Sequence, residues 1–224
     1  MNKKKIGYVG PSWAVRSFDV ELPGKVNVTT NLLNELGIEA INLAKEGASN
    51  SDCYNRILEV KENLDGIIWI YCEPILDVYH DDKKDFLINP NFWKIRKQLN
   101  EDMLSMINNL NIPTGIIGAH SDIVDCNYPN IEVIHPSWQK FLAEYSNVAL
   151  TDGWGAEVLH RWQVYEFPGT KISREAVGKI CELFASWTQL EINNVFYQVH
   201  PNRFGNEIFA KEIRNSVSGF LNNI

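Results

Sequence analysis

Short, nearly unbroken apolar runs alternate along this chain with longer stretches in which apolar residues recur every three or four positions. The first pattern suits strands buried on both faces of a sheet, and the second suits helices that bury one side. Lys5 to Val9 reads as a strand, Val28 to Leu36 as a helix stopped at Gly37, and Glu39 to Leu43 as a second strand. Ser51 or Asp52 is the expected cap of a helix running to about Asn63. Gly66 to Tyr71, GIIWIY, is apolar throughout and reads as a central strand. Asn91 to Leu110 carries Trp93, Ile95, Leu99, Met103 and Met106 at near-helical spacing, which predicts a long helix. Pro113 to Gly118 and Ile131 to Ile134 follow as strands. Ser137 to Tyr145, Glu157 to Tyr165, Ser173 to about Ile192 and Gly205 to Leu221 read as helices.

This alternation predicts an α/β fold, a three-layer doubly wound parallel sheet of the flavodoxin-like kind. No Pro/Ser/Gly-rich stretch divides the chain, so residues 1–224 are expected to form a single domain. In such sheets ligands bind beyond the carboxyl ends of the strands, at the switch point beside the first strand. The loops to watch are therefore Gly10 to Arg16, Lys45 to Asp52 and Tyr71 to Asp77.

Composition narrows the partners. Acidic residues outnumber basic ones 28 to 21, for a net charge of −7, and apart from Lys3-Lys4-Lys5 no basic stripe stands out. A nucleic-acid partner is not expected from this balance. The lysine triplet precedes an apolar run of about five residues, too short for a signal peptide or a membrane span. Neither a membrane partner nor export is expected. Cys53, Cys72, Cys126 and Cys181 show no CxxC spacing, which argues against a zinc cage or disulfide framework and fits a cytoplasmic location. His80 beside Asp81 and Asp82, and His120 near Asp122, are isolated pairs, so no metal site is expected. Trp138, Trp154 and Trp162 could line a sugar cleft, although core packing is the commoner use of tryptophan.

The chemistry concentrates at the two ends of the chain. His200-Pro201-Asn202-Arg203-Phe204, followed by Gly205, cannot lie inside a helix, because proline lacks a donor and restricts the residue before it. His200 is therefore expected on a loop just ahead of the last helix. Ser12 follows the first strand in Gly10-Pro11-Ser12-Trp13. A serine hydroxyl is a weak nucleophile and needs a neutral imidazole within hydrogen-bond reach to take its proton. Ser12 and His200 are suitable partners if the fold joins them. The competing structural roles are turn capping for Ser12, a tight turn for Gly47, and helix initiation for Ser49 and Asn50. His135, in another His-Pro pair after a strand, is expected either to orient a cleft group or simply to end that strand, and His160 to lie on a helix face.

Serine after the first strand, glycine after the second and His-Pro before the last helix together resemble the SGNH or GDSL hydrolases. The resemblance runs from Lys5 to about Ile213. It implies a serine nucleophile at Ser12, a base at His200, and an oxyanion hole formed by the Ser12 amide and Gly47 in NLAKEGASNS. It implies an ester or deacetylation reaction on a small acyl group, such as an acyl group on a carbohydrate, with no cofactor. Three positions depart from the family pattern. Pro11 replaces the middle residue of Gly-Asp-Ser. Glu73, in Tyr71-Cys72-Glu73-Pro74, stands where an asparagine donor is usual, with Asn50 as a possible replacement. Tyr197 stands where the triad acid is usual, three residues before His200. An ionised glutamate would repel an oxyanion. The departures keep open a second reading, a binding or scaffold protein that retains the fold without turnover. A third, phosphate binding by the Gly10 to Ser17 loop, is opposed by its single glycine and bulky Trp13 and leaves His200 without a role.

Overall fold

The computed structural model describes residues 4–15, 28–72, 92–119, 123, 126–147, 196–197 and 200–224. Five strands form one parallel sheet: β1 (Lys5–Val9), β2 (Glu39–Asn42), β3 (Gly66–Tyr71), β4 (Thr114–Gly118) and β5 (Ile131–His135). Their order is β2-β1-β3-β4-β5, the flavodoxin-like arrangement with its switch point between β1 and β3. All neighbouring pairs are parallel. The described helices are α1 (Ser12–Val15), α2 (Val28–Glu35), α3 (Asn50–Val60), α4 (Phe92–Asn108), α5 (Trp138–Tyr145) and α6 (Arg203–Asn223). A short antiparallel pair, β6 (Phe196–Tyr197) and β7 (His200–Pro201), precedes α6.

The period-two alternation of the strands explains the layers. Ile6, Tyr8, Ile68, Ile70, Ile117 and Ile134 point to one face and pack with α1, α2, α5 and α6. Val9, Ile67, Trp69, Tyr71 and Ile116 point to the other and pack with α3 and α4. Both faces are therefore covered, which is why β3 and β4 are buried along their whole length. Register is interrupted once: Ile116 pairs with Val133 but Ile117 pairs with His135, so Ile134 is a bulge residue. The bulge turns His135 to the same face as Ile134, where its ring meets Phe209 and Phe141 edge-on at 5.1 and 5.8 Å.

Within the described residues the expected strands and helices recur within one to three residues at their ends, α3 ending at Val60 with a 3-10 turn over Lys61–Asn63 completing its expected length. Three corrections apply. The α3 cap is Ser49, not Ser51 or Asp52: its side chain accepts from the Asp52 amide while the Asp52 carboxylate accepts from the Ser49 amide. Ser49-x-x-Asp52 thus closes a capping box ahead of the expected position. The last helix begins at Arg203, with Asn202 as its cap, rather than at Gly205. His200 is not on an irregular loop, since its backbone pairs with Tyr197 across the β6–β7 ladder. The expected helices at Glu157 to Tyr165 and Ser173 to Ile192 lie outside the described residues, as do Cys181, Trp154, Trp162, His80, His120 and His160. Among the described residues no helix is long and apolar enough to cross a membrane.

The direction of α6 sets which end of the sheet its N-terminus meets. Near its C-terminus the Lys4 ammonium donates to the Leu221 carbonyl, and Ile224 lies over Gly66, both at the amino ends of strands. Near its N-terminus Phe209 lies against His135, at the carboxyl end of β5. The helix therefore runs antiparallel to the sheet. Twenty-one residues span about 30 Å, against about 17 Å for a five-residue strand. Its N-terminus, and β7 before it, consequently stand beyond the carboxyl edge.

Candidate functional site

Two turns and the end of β3 meet at the carboxyl edge. The first leaves β1 at Gly10, where the chain passes so close to β3 that a Cβ would sit 2.7 Å from the Ile70 Cβ and 2.9 Å from the Ile70 carbonyl oxygen. Only glycine fits such an approach. Pro11 then accepts from the Ala14 amide at 2.8 Å and starts the single turn of α1, with Ser12 as its first residue. Trp13 and Ala14 are buried beneath it, and the Trp13 ring meets Trp138 edge to face at 5.7 Å. Trp138 in turn stacks on Phe209 of α6 at 4.4 Å. Half-buried Ser12 is thus carried on a turn that is locked on both sides, and the aromatic series ties that turn to α6. Trp138 is only 1% exposed, so it packs in the core and does not line a cleft.

The second turn follows β2. Lys45 donates its amide to the Gly10 carbonyl at 3.1 Å, and Ala48 donates to Lys45 at 3.2 Å. Gly47 is exposed, with φ at +68°, a conformation costly for any residue with a Cβ. Two residues later Ser49 caps α3.

Asn50 belongs to this turn but reaches across to the end of β3. Its Nδ2 donates to the Cys72 carbonyl at 2.7 Å, and its Oδ1 accepts from the Cys72 amide and the Cys72 thiol, each at 3.2 Å. Asn50 is fully buried. Its place in the sequence suggests an oxyanion donor or a helix start; the structure makes it the first residue of α3 and engages its carboxamide with the end of β3. Glu73, the next residue after Cys72, lies outside the described residues.

At the start of α6 two further asparagines fix the backbone after His200. Asn202 accepts from the Gly205 amide at 2.9 Å, and Asn206 donates to the carbonyls of Pro201 and Asn202 at 3.1 and 2.9 Å. Asn206 is buried. Its spacing of four from Asn202 is the available sequence signal, and it passes unnoticed because a polar residue in a helix usually faces water.

His135 also ends at this edge, with Nδ1 accepting from the Ser137 amide at 3.2 Å, so the neutral ring carries its proton on Nε2. Burial pushes the Cys126 thiol up in pKa despite a hydrogen bond from the Tyr128 backbone, which keeps it protonated and poorly nucleophilic near neutrality. Among the described residues no group of three or more His, Cys, Asp or Glu side chains is placed to hold a metal ion. The fold thus gathers the turns bearing Ser12, Gly47 and Asn50, and the segment leading into α6, at one edge. No protein-family model matches the chain, and no curated protein matches it.

Proposed function

We propose that this protein is a serine ester hydrolase acting on a small acyl ester, including acyl groups carried on carbohydrates. What supports the reading is the common location of three elements: the turn bearing Ser12, the left-handed turn at Gly47, and the β7–α6 junction that follows His200. In the reaction, the Ser12 hydroxyl attacks the ester carbonyl while the His200 imidazole takes its proton. The amides of Ser12 and Gly47 hold the resulting oxyanion. Collapse expels the alcohol, which recovers the proton from the imidazolium; water then attacks the acyl-enzyme with His200 again as base, and the second collapse breaks the Ser12–acyl bond, releasing the acid as the imidazolium returns its proton to the Ser12 oxygen. Glu73 assists the oxyanion only as a protonated donor. No cofactor takes part in these steps.

The second reading, a binding or scaffold protein of the same fold, draws on Tyr197. It occupies the usual triad-acid position and pairs through its backbone with His200, and a phenol is a poor substitute for a carboxylate in orienting an imidazolium.

The test is labelling by a fluorophosphonate together with p-nitrophenyl acetate turnover, in wild type, Ser12→Ala and His200→Ala. The hydrolase reading expects both signals in wild type and a fall in turnover of about a thousandfold in each variant. Folded wild-type protein that neither labels nor turns over would leave the binding reading standing.

A further inference from the structure

We infer that Asn50 is a positioning residue for the oxyanion site: its carboxamide replaces the missing end of β1 and fixes the Gly47 turn against the exit of β3. The inference rests on the hydrolase reading above. In the β3–β4 ladder, Ile67 donates to Pro113 and the Tyr71 carbonyl accepts from Ala119, so alternate residues of β3 face β4. By the same alternation the backbone N–H and C=O of Cys72 point the other way, toward β1. At that level β1 offers no partner, because Pro11 has no N–H and its carbonyl accepts from Ala14 as the chain turns toward Ser12. Both Cys72 groups would face a gap. Asn50 fills it with the two complementary groups of a single carboxamide, donating to the carbonyl and accepting from the amide. The side chain therefore spans the end of the strand from which the Ser12 turn rises.

The link also sets where Gly47 stands. Asn50 is three residues beyond Gly47, Ser49 between them is held by its capping box, and the Cys72 thiol lies 3.8 Å from the Ala48 carbonyl. An amide serving an oxyanion must be held in place before the charge develops, since reorganisation during the reaction forfeits its benefit. A buried carboxamide bound on both sides provides that rigidity, and its removal acts on the transition state more than on substrate binding.

The experiment compares full-length wild type, Ser12→Ala, Asn50→Ala and Asn50→Asp in p-nitrophenyl acetate kinetics, with amide hydrogen exchange of the peptides containing Gly47 and Cys72. For folded Asn50→Ala, kcat is expected to fall about tenfold or more with KM changed less than about twofold, while exchange accelerates in both peptides. Asn50→Asp keeps the size and the acceptor for the Cys72 amide, and its protonated form, which burial favours, restores a donor to the Cys72 carbonyl, so it is expected to fold and to show a smaller loss, about threefold. It serves as the deciding variant if Asn50→Ala does not fold. Faster exchange with kcat unchanged overturns the positioning role and leaves Asn50 a purely structural tie. Unchanged exchange overturns the link itself. Turnover that survives Ser12→Ala, or a wild type without turnover, overturns the hydrolase reading and this inference with it, and the Ser12→Ala control separates that failure from failure of Asn50 alone.

Discussion

Two glycines at the same edge meet different constraints. At Gly10 the constraint is space, because an added Cβ would press into the Ile70 side chain and carbonyl and into Ala14. At Gly47 the constraint is backbone conformation, since φ is +68° and nothing lies within 4 Å of an added Cβ. Gly10→Ala is therefore expected to cost about 3 kcal/mol, as overpacking against backbone does. Gly47→Ala is expected to cost about 1 kcal/mol, the usual penalty for a Cβ in the left-handed region. Urea unfolding midpoints of the two variants check the order; equal midpoints would mean that the β1 exit relaxes freely. Both glycines are conspicuous in the sequence, each on a post-strand loop. What distinguishes them is not legible there, because the atoms that crowd Gly10 belong mainly to β3, some sixty residues away.

Among the elements, helix starts carry most of the local information. Ser49 and Asp52 form a reciprocal pair, and Asn202 caps α6 through Gly205. Ser49→Ala is expected to lower stability by about 1 kcal/mol, read as a shift in thermal midpoint, with the fold retained. A loss near zero would mean that water replaces the cap without cost. The serine-x-x-aspartate signature is present in the sequence, and placing the cap two or three residues late reflects how many capping residues crowd Ala48 to Asp52. The single turn of α1 and the two-residue strands β6 and β7 escape sequence reasoning for another reason. Elements so short contain no full period of either pattern, and pairing between partners, rather than local preference, defines them.

Across the molecule, the order β2-β1-β3-β4-β5 decides which segments are most protected. Every residue of β3 and β4 is buried, whereas β2 is an edge strand with exposed and half-exposed positions only. Native-state hydrogen exchange is expected to be slowest in β3 and β4 and fastest, among the five strands, in β2. Comparable protection in β2 would require a covering for that edge. The same order brings the carboxyl ends of β1, β2 and β3 together, and the aromatic series Trp13, Trp138 and Phe209 couples that edge to a helix near the other end of the chain.

The class of fold, the five strands and most of the described helices could be read from the amino-acid order alone. Period-two and helical patterns are local consequences of burying one or both faces, and they survive without knowledge of partners. The same residues single out Ser12, Gly47, Asn50 and His200 as candidates. The folded arrangement was needed to establish that Asn50 binds the end of β3, that a bulge turns His135 toward α6, and that α6 presents its N-terminus to the edge where Ser12 lies. Each of these depends on where a distant strand ends or slips by one residue, and a contact between residues far apart in sequence leaves no periodic trace along the chain.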